Sequence, residues 1–175
     1  VLEAFGNAKT TRNSNSSRFG KFQIMNFSER GEIGTITIAT YLLEKSRVTS
    51  ITDPERNYHA FYMLLAGGGN LLGDLELSPT VGDYNYLKQS TCHAIPDWND
   101  VEEFRIMADA MPVIGADTTR SLQIFTMLAA VLLLGNVQFH SGDSDETLIS
   151  NPDVLDKASR RLGVSSEDLS TILTS

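Results

Sequence analysis

Asn13-Ser14-Asn15-Ser16-Ser17-Arg18-Phe19-Gly20-Lys21-Phe22 places two amide side chains, three hydroxyls and a guanidinium within its first six residues. Phe22-Gln23-Ile24-Met25-Asn26-Phe27 follows directly and alternates as a strand. Hydroxyl oxygens suit Mg²⁺, amides and backbone N–H groups suit phosphate oxygens, and an Arg binds a carboxylate or a phosphate. Serine- and asparagine-rich connections are common and usually inert. Here Arg18 interrupts the small polar run where the strand begins. Phe19-Gly20-Lys21 then adds an apolar anchor and a flexible point. That order is more than a plain linker requires, and it suits a loop that grips a nucleotide triphosphate.

Working outward, the spacing predicts a helix over residues 1–9 and a polar turn over 10–18. Strands over 21–27 and 33–43 are joined by Ser28-Glu29-Arg30-Gly31-Glu32, which makes a β-hairpin. Beyond it the pattern turns helical. Asp53-Pro54 reads as a cap with an N1 proline, opening a helix that Gly67-Gly68-Gly69 ends. A short helix or turn is expected over 71–79. Asn99 and Glu102 are spaced as a capping box for a helix over 100–111. Asp117 opens the longest helix, closed by Gly135. Residues 138–146 read as an exposed acidic loop. Asn151-Pro152 and Ser165 open two final helices. The class is α+β: a small β region over 1–50, then a helical region over 51–175.

The chain has 175 residues, 41% of them hydrophobic, enough for one sizeable packed domain. Its formal charge of −8 argues against a general nucleic-acid binder, which usually presents a basic face. The single cysteine, Cys92, excludes an internal disulfide and fits a reducing, cytoplasmic setting. His59, His93 and His140 share no ligand spacing, so no metal site of their own is expected. No uninterrupted apolar run reaches the roughly 18–20 residues of a membrane span, so none is expected. The longest runs only from Met127 to Leu134. The chain opens at Val1 in what reads as mid-helix, which suggests a piece of something larger.

Asn13-x-Asn15-Ser16-Ser17-Arg18-Phe19-Gly20-Lys21 resembles the switch I loop of myosin motor domains. The likeness extends to Leu2-Glu3-Ala4-Phe5-Gly6-Asn7-Ala8-Lys9-Thr10, to Tyr41-Leu42-Leu43-Glu44-Lys45-Ser46-Arg47-Val48, to Glu55-Arg56-Asn57-Tyr58-His59-Ala60-Phe61-Tyr62 and to Leu133-Leu134-Gly135-Asn136-Val137-Gln138-Phe139. These motifs follow the family's order along nearly the whole chain. Kinesins share the Ser-Ser-Arg core but typically continue with Ser-His, so Phe19-Gly20-Lys21 favours myosin.

The resemblance implies part of a P-loop NTPase-type motor head: the switch I loop and a central-sheet hairpin over 1–50, and the helical upper 50 kDa region over 51–175. It implies ATP and Mg²⁺ as ligands, with Ser17 on Mg²⁺ and Ser16 near the γ-phosphate and attacking water. Asn13 would contact phosphates and Asn15 would shape the loop. Arg18 would pair with a switch II glutamate. Implied partners are the actin filament and, on an absent neck, light chains or calmodulin. The implied setting is cytoplasmic and cytoskeletal. No Gly-x-x-x-x-Gly-Lys-Ser/Thr phosphate loop and no switch II motif occur here, so the fragment alone is expected not to hydrolyse ATP. The rival reading is a non-catalytic actin- or partner-binding module of a motor-like protein. In this family the 138–146 loop can approach actin, although Asp143, Asp145 and Glu146 make it a poor match for an acidic filament.

Overall fold

Residues 59–65 are apolar enough to be buried all round, and they form the centre of the molecule. In the computed structural model, which describes residues 1–142 and 146–175, this stretch lies in a helix spanning His59–Gly67. All seven residues from His59 to Leu65 are buried. Preceding it are a short helix α1 (Leu2–Gly6), strands β1 (Asn7–Ala8) and β2 (Ser16–Ser17), a long hairpin of β3 (Gly20–Phe27) and β4 (Ile33–Tyr41), and one helical turn, α2 (Ser46–Thr49). The central helix is therefore α3. After it come α4 (Asn70–Asp74), α5 (Asp100–Ala110), α6 (Thr118–Gly135), the short strands β5 (Phe139–Ser141) and β6 (Thr147–Ile149), and α7 (Pro152–Leu162) and α8 (Ser166–Thr174).

Helix α3 packs on α5 and α6, and α7 packs along α6. Leu64, Leu65, Leu87, Met111, Leu132 and Ala158 meet in the shared core. The expected caps are present at three helices. Asn99 accepts from the Val101 and Glu102 amides, Asp117 from the Arg120 amide and Ser165 from the Asp168 amide. The capping box at α5 is half-formed, because the Glu102 carboxylate turns to Arg105 instead of back to Asn99. The α+β class holds, and the strands form three separate antiparallel pairs.

Four expectations need correction. The helix over residues 1–9 stops at Gly6, because Asn7 and Ala8 pair with Ser17 and Ser16 and Ala8 also bridges to Tyr58. Strand pairing outweighs the helical spacing of two residues. Asp53-Pro54 does not open α3, which starts five residues later. The Asp53 carboxylate instead accepts from the Thr91 amide at 2.6 Å and the Thr91 hydroxyl at 2.7 Å, tying down the 85–95 segment. Those bonds hold its carboxyl below the usual aspartate range. The 138–146 loop begins with strand β5, which pairs with β6 just beyond it, in register from Phe139↔Ile149 to Ser141↔Thr147. Of its acidic residues, Asp143 and Asp145 lie outside the described residues.

The fourth concerns membrane spans. Helix α6 has 18 residues at mean hydropathy 1.4, long and apolar enough to cross a membrane by length and composition. Counting only uninterrupted apolar residues misses it. A third of it is buried within the molecule, at Phe125, Leu128, Ala129, Ala130, Leu132 and Leu133.

Candidate functional site

The Asn13–Arg18 loop is seated by its ends. At the start, the Thr10 amide donates to the Asn13 carbonyl at 2.8 Å and the Asn15 amide to Asn13 Oδ1 at 2.8 Å. Asn13 thus closes an Asx turn on itself. At the end, Ser16–Ser17 pairs with Asn7–Ala8, and the Arg18 amide donates to the Gly6 carbonyl at 2.8 Å. The Phe19 ring packs against Gly6, where a Cβ would come within 2.3 Å of the ring, so glycine is needed at position 6. Phe19 is thus the apolar anchor its sequence position suggests.

Between these ends the loop divides into two sides. Asn13, Ser14 and Ser17 are exposed, whereas Asn15, Ser16 and Arg18 are half-buried. Asn15 Oδ1 accepts from Asn7 Nδ2 at 2.9 Å and faces His59 Nε2 at 3.2 Å, while Asn15 Nδ2 reaches Glu3 at 3.4 Å. Arg18 Nη1 donates to Ser16 Oγ at 3.2 Å.

The switch II glutamate expected to pair with Arg18 is not in this sequence. The Arg18 Nε–H instead donates to Glu44 at 2.6 Å. Glu44 also accepts from Arg47 at 2.7 Å, and Arg47 continues to Glu55 at 2.9 Å. Glu55 in turn accepts from the Thr11 amide. Burial alone would raise the Glu44 carboxyl, but hydrogen bonds from Arg18 and Arg47 outweigh it and hold the group below 4.5. The same balance, with the Thr11 amide and Arg47 as donors, lowers Glu55. A ladder of alternating charge thus runs from the loop, past α2, to the segment that leads into α3.

Phosphate oxygens and Mg²⁺ impose a test on the donor set. Mg²⁺ takes one or two protein oxygens and fills its other positions with phosphate oxygens and water. The Ser17 hydroxyl donates its proton to the Phe19 carbonyl at 3.0 Å, which leaves its oxygen lone pairs free on an exposed face. An oriented hydroxyl at Ser17 and an exposed amide at Asn13, on the same loop, fit that chemistry.

Comparison with known proteins gives the family. The family model for the myosin head (motor domain) matches residues 1–175. This chain belongs to the myosin head family. Myosin-6 of Arabidopsis thaliana is 47% identical over 153 residues, covering 87% of this chain and 10% of that protein. Myosin type-2 heavy chain 1 of Schizosaccharomyces pombe is 45% identical over 168 residues, covering 95% of this chain and 11% of that protein. Myosin-I heavy chain of Dictyostelium discoideum is 43% identical over 178 residues, covering 99% of this chain and 8% of that protein. The chain therefore spans about a tenth of the length of these relatives.

Three residues that position this part of the myosin head were not legible as such in the sequence. Glu44 appears there only within a shared motif, His59 only within a motif and among histidines without ligand spacing, and Asn7 as part of a longer helix. Asn7 and His59 share a signal, a polar residue inside an otherwise buried segment: Asn7 is 5% exposed and His59 1%. Such residues normally hold a partner.

Proposed function

We propose that these residues are the nucleotide-sensing part of an ATP-driven, actin-based motor, with Asn13–Arg18 as switch I in a P-loop NTPase-type head. Residues 1–50 are the switch I loop and a central-sheet hairpin, and residues 51–175 are the helical upper 50 kDa region. The observation that carries this reading is the two-sided loop. Its half-buried side is bolted to α1, β1 and α3, while its exposed side offers an amide and a hydroxyl oriented for acceptance.

In this reading Asn13 holds phosphate oxygens, Ser17 holds Mg²⁺, and Ser16 lies beside the γ-phosphate and the attacking water. When bound, Mg²⁺ neutralises developing phosphate charge. Phosphoryl transfer requires charge stabilisation and water placement far more than covalent help from the protein. Arg18 supplies mobile positive charge. Its bond to Glu44 is half-exposed, so exchange for another carboxylate costs little. A loop whose Arg18 changes carboxylate partner only when a γ-phosphate is bound also reports nucleotide state. The ion-pair ladder through Glu44, Arg47 and Glu55 links the loop to the α3 segment.

The test is made in a full-length motor that carries these residues. Arg18→Ala is expected to slow single-turnover ATP hydrolysis by on the order of 10²-fold while ATP binding changes far less. Ser17→Ala is expected to shift the Mg²⁺ dependence of hydrolysis to higher concentration. Hydrolysis at the wild-type rate in Arg18→Ala, or an unchanged Mg²⁺ dependence in Ser17→Ala, refutes the assignment of that residue.

A further inference from the structure

Asn15 is the loop residue whose side chain turns inward, with Asn13 and Ser17 exposed on either side of it. Its Oδ1 lies between two donors, Asn7 Nδ2 at 2.9 Å and His59 Nε2 at 3.2 Å. Its backbone amide fixes the Asn13 side chain at 2.8 Å. Wherever Asn15 sits, the exposed amide of Asn13 follows.

His59 is the first residue of α3 and is 1% exposed. Its ring stacks on Trp98 with centroids 4.7 Å apart and planes 25° from parallel. Trp98 is pinned in turn: its indole N–H donates to Asp100 at 3.1 Å, and Asp100 accepts from the fully buried Arg56 at 2.9 Å. Arg56 lies 3.7 Å from the Tyr62 ring centroid. The imidazole therefore has little freedom to turn.

We infer that His59 is a positioning residue for the loop, donating its Nε2–H to Asn15 Oδ1 and so holding Asn13 and Ser17 in register before a ligand arrives; this rests on reading the loop as a nucleotide grip. The tautomer follows from the surroundings. Asn15 Oδ1 can only accept, so the ring atom facing it must donate. Nδ1 is buried without a partner. There it is better tolerated as a bare lone pair than as an unpaired N–H. Burial, reinforced by the nearby Arg56 charge, pushes the imidazole pKa down to about 4, so the ring is neutral at pH 7 and has one proton to place. The consequence is preorganisation: a loop held in its bound shape loses less freedom on binding and presents its groups at the reacting geometry.

The experiment is a double-mutant cycle in a full-length motor that carries these residues. His59→Phe keeps an aromatic ring against Trp98 but removes the donor. His59→Gln restores an N–H donor without the ring. His59→Phe is expected to lower the kcat for ATP hydrolysis roughly tenfold with KM moved less than about threefold. His59→Gln is expected to recover most of that loss. In the Asn15→Ala background, His59→Phe should add less than about twofold, because the acceptor has gone. Where His59→Phe does not fold, His59→Leu takes its place in the cycle. Full additivity of the two substitutions, or no rescue by His59→Gln, overturns the inference. If Arg18→Ala slows hydrolysis while His59→Phe leaves it unchanged, only the role of His59 falls. If Arg18→Ala and Ser17→Ala both leave hydrolysis unchanged, the nucleotide-grip reading itself falls and His59 has no grip to position.

Discussion

The β3–β4 hairpin and helix α3 both carry long apolar stretches, and the molecule treats them in opposite ways. Every residue from Lys21 to Tyr41 is exposed, including Phe22, Ile24, Met25, Ile36 and Ile38. From His59 to Leu65 every residue is buried. Register explains the hairpin. Phe22 lies opposite Ala39 and Ile24 opposite Thr37 on one face, while Met25 lies opposite Ile36 and Gln23 opposite Ile38 on the other. A strand pair with apolar residues on both faces is patterned for cover on both faces. Among the described residues neither face is covered. A two-stranded sheet left this way is marginal in water. Helix α3 has found its partners in α5 and α6, so its stability is a property of these residues. The comparison separates what this segment holds by itself from what it holds only within a larger head.

The largest expected effect tests the helical side. Leu132 is fully buried against that core, and Leu132→Ala should cost about 2–5 kcal/mol through lost burial and the cavity left behind. Ile36→Ala, half-exposed in the hairpin, should cost at most about 0.5 kcal/mol in the 175-residue chain. Denaturant midpoints of the two variants measure the difference. Equal costs would mean that the hairpin is covered after all. In a full-length motor, Ile36→Ala should become the more damaging change, relative to its effect in this chain, if the head covers both faces.

A second effect divides the molecule by pH. Unfolded, His59 titrates near 6.5; folded, it titrates at about 4. As pH falls through 6.5 the unfolded chain takes up a proton that the folded chain refuses, so stability falls with falling pH. The loss amounts to roughly 3 kcal/mol by the time pH reaches 4. Glu44 and Glu55, whose carboxyls are held below 4.5, contribute stability that is present above 4.5 and lost only below it. The interval from 6.5 to 4.5 therefore isolates His59 from both. Urea unfolding in this interval should show a pH slope in the wild-type chain and a much flatter one in His59→Gln. The same slope in both would place the titrating group elsewhere.

How much of this was legible in the sequence follows the same division. Strand alternation in Phe22–Phe27 and Ile33–Tyr41 located the hairpin, because period-2 patterning is local. Asn99, Asp117 and Ser165 marked true helix starts, because a cap is satisfied by amides two or three residues away. Asp53 carries the same local signature but is claimed by Thr91, 38 residues downstream. No local rule sees that competitor. The loop was found by its composition, and its anchor Phe19 by position. Its second partners, Glu44 on Arg18 and His59 on Asn15, come from 26 and 44 residues away. They are set by how α3 and the hairpin end meet, which only the fold decides.

The smallest effect asks whether the two regions unfold as one. Gly31 sits at the hairpin turn with φ at +79°, and a Cβ there would meet nothing within 4 Å. Gly31→Ala therefore introduces no clash, only the backbone cost of a left-handed conformation, about 1 kcal/mol. If the hairpin opens independently of the helical core, that cost appears locally. Amide hydrogen exchange should quicken about fivefold across β3 and β4 while the thermal midpoint stays in place. If hairpin and core form one cooperative unit, the melting midpoint shifts by several degrees and exchange in α3 quickens as well. The first outcome is expected, because the hairpin joins the rest of the molecule through few groups. They are the Phe19 ring on Gly6, the Arg18–Glu44 pair and the Glu44 amide on the Arg18 carbonyl at 3.0 Å. The same few contacts also seat the Asn13–Arg18 loop. A hairpin that opens without disturbing them would let the sheet move in a working head while the loop keeps its shape.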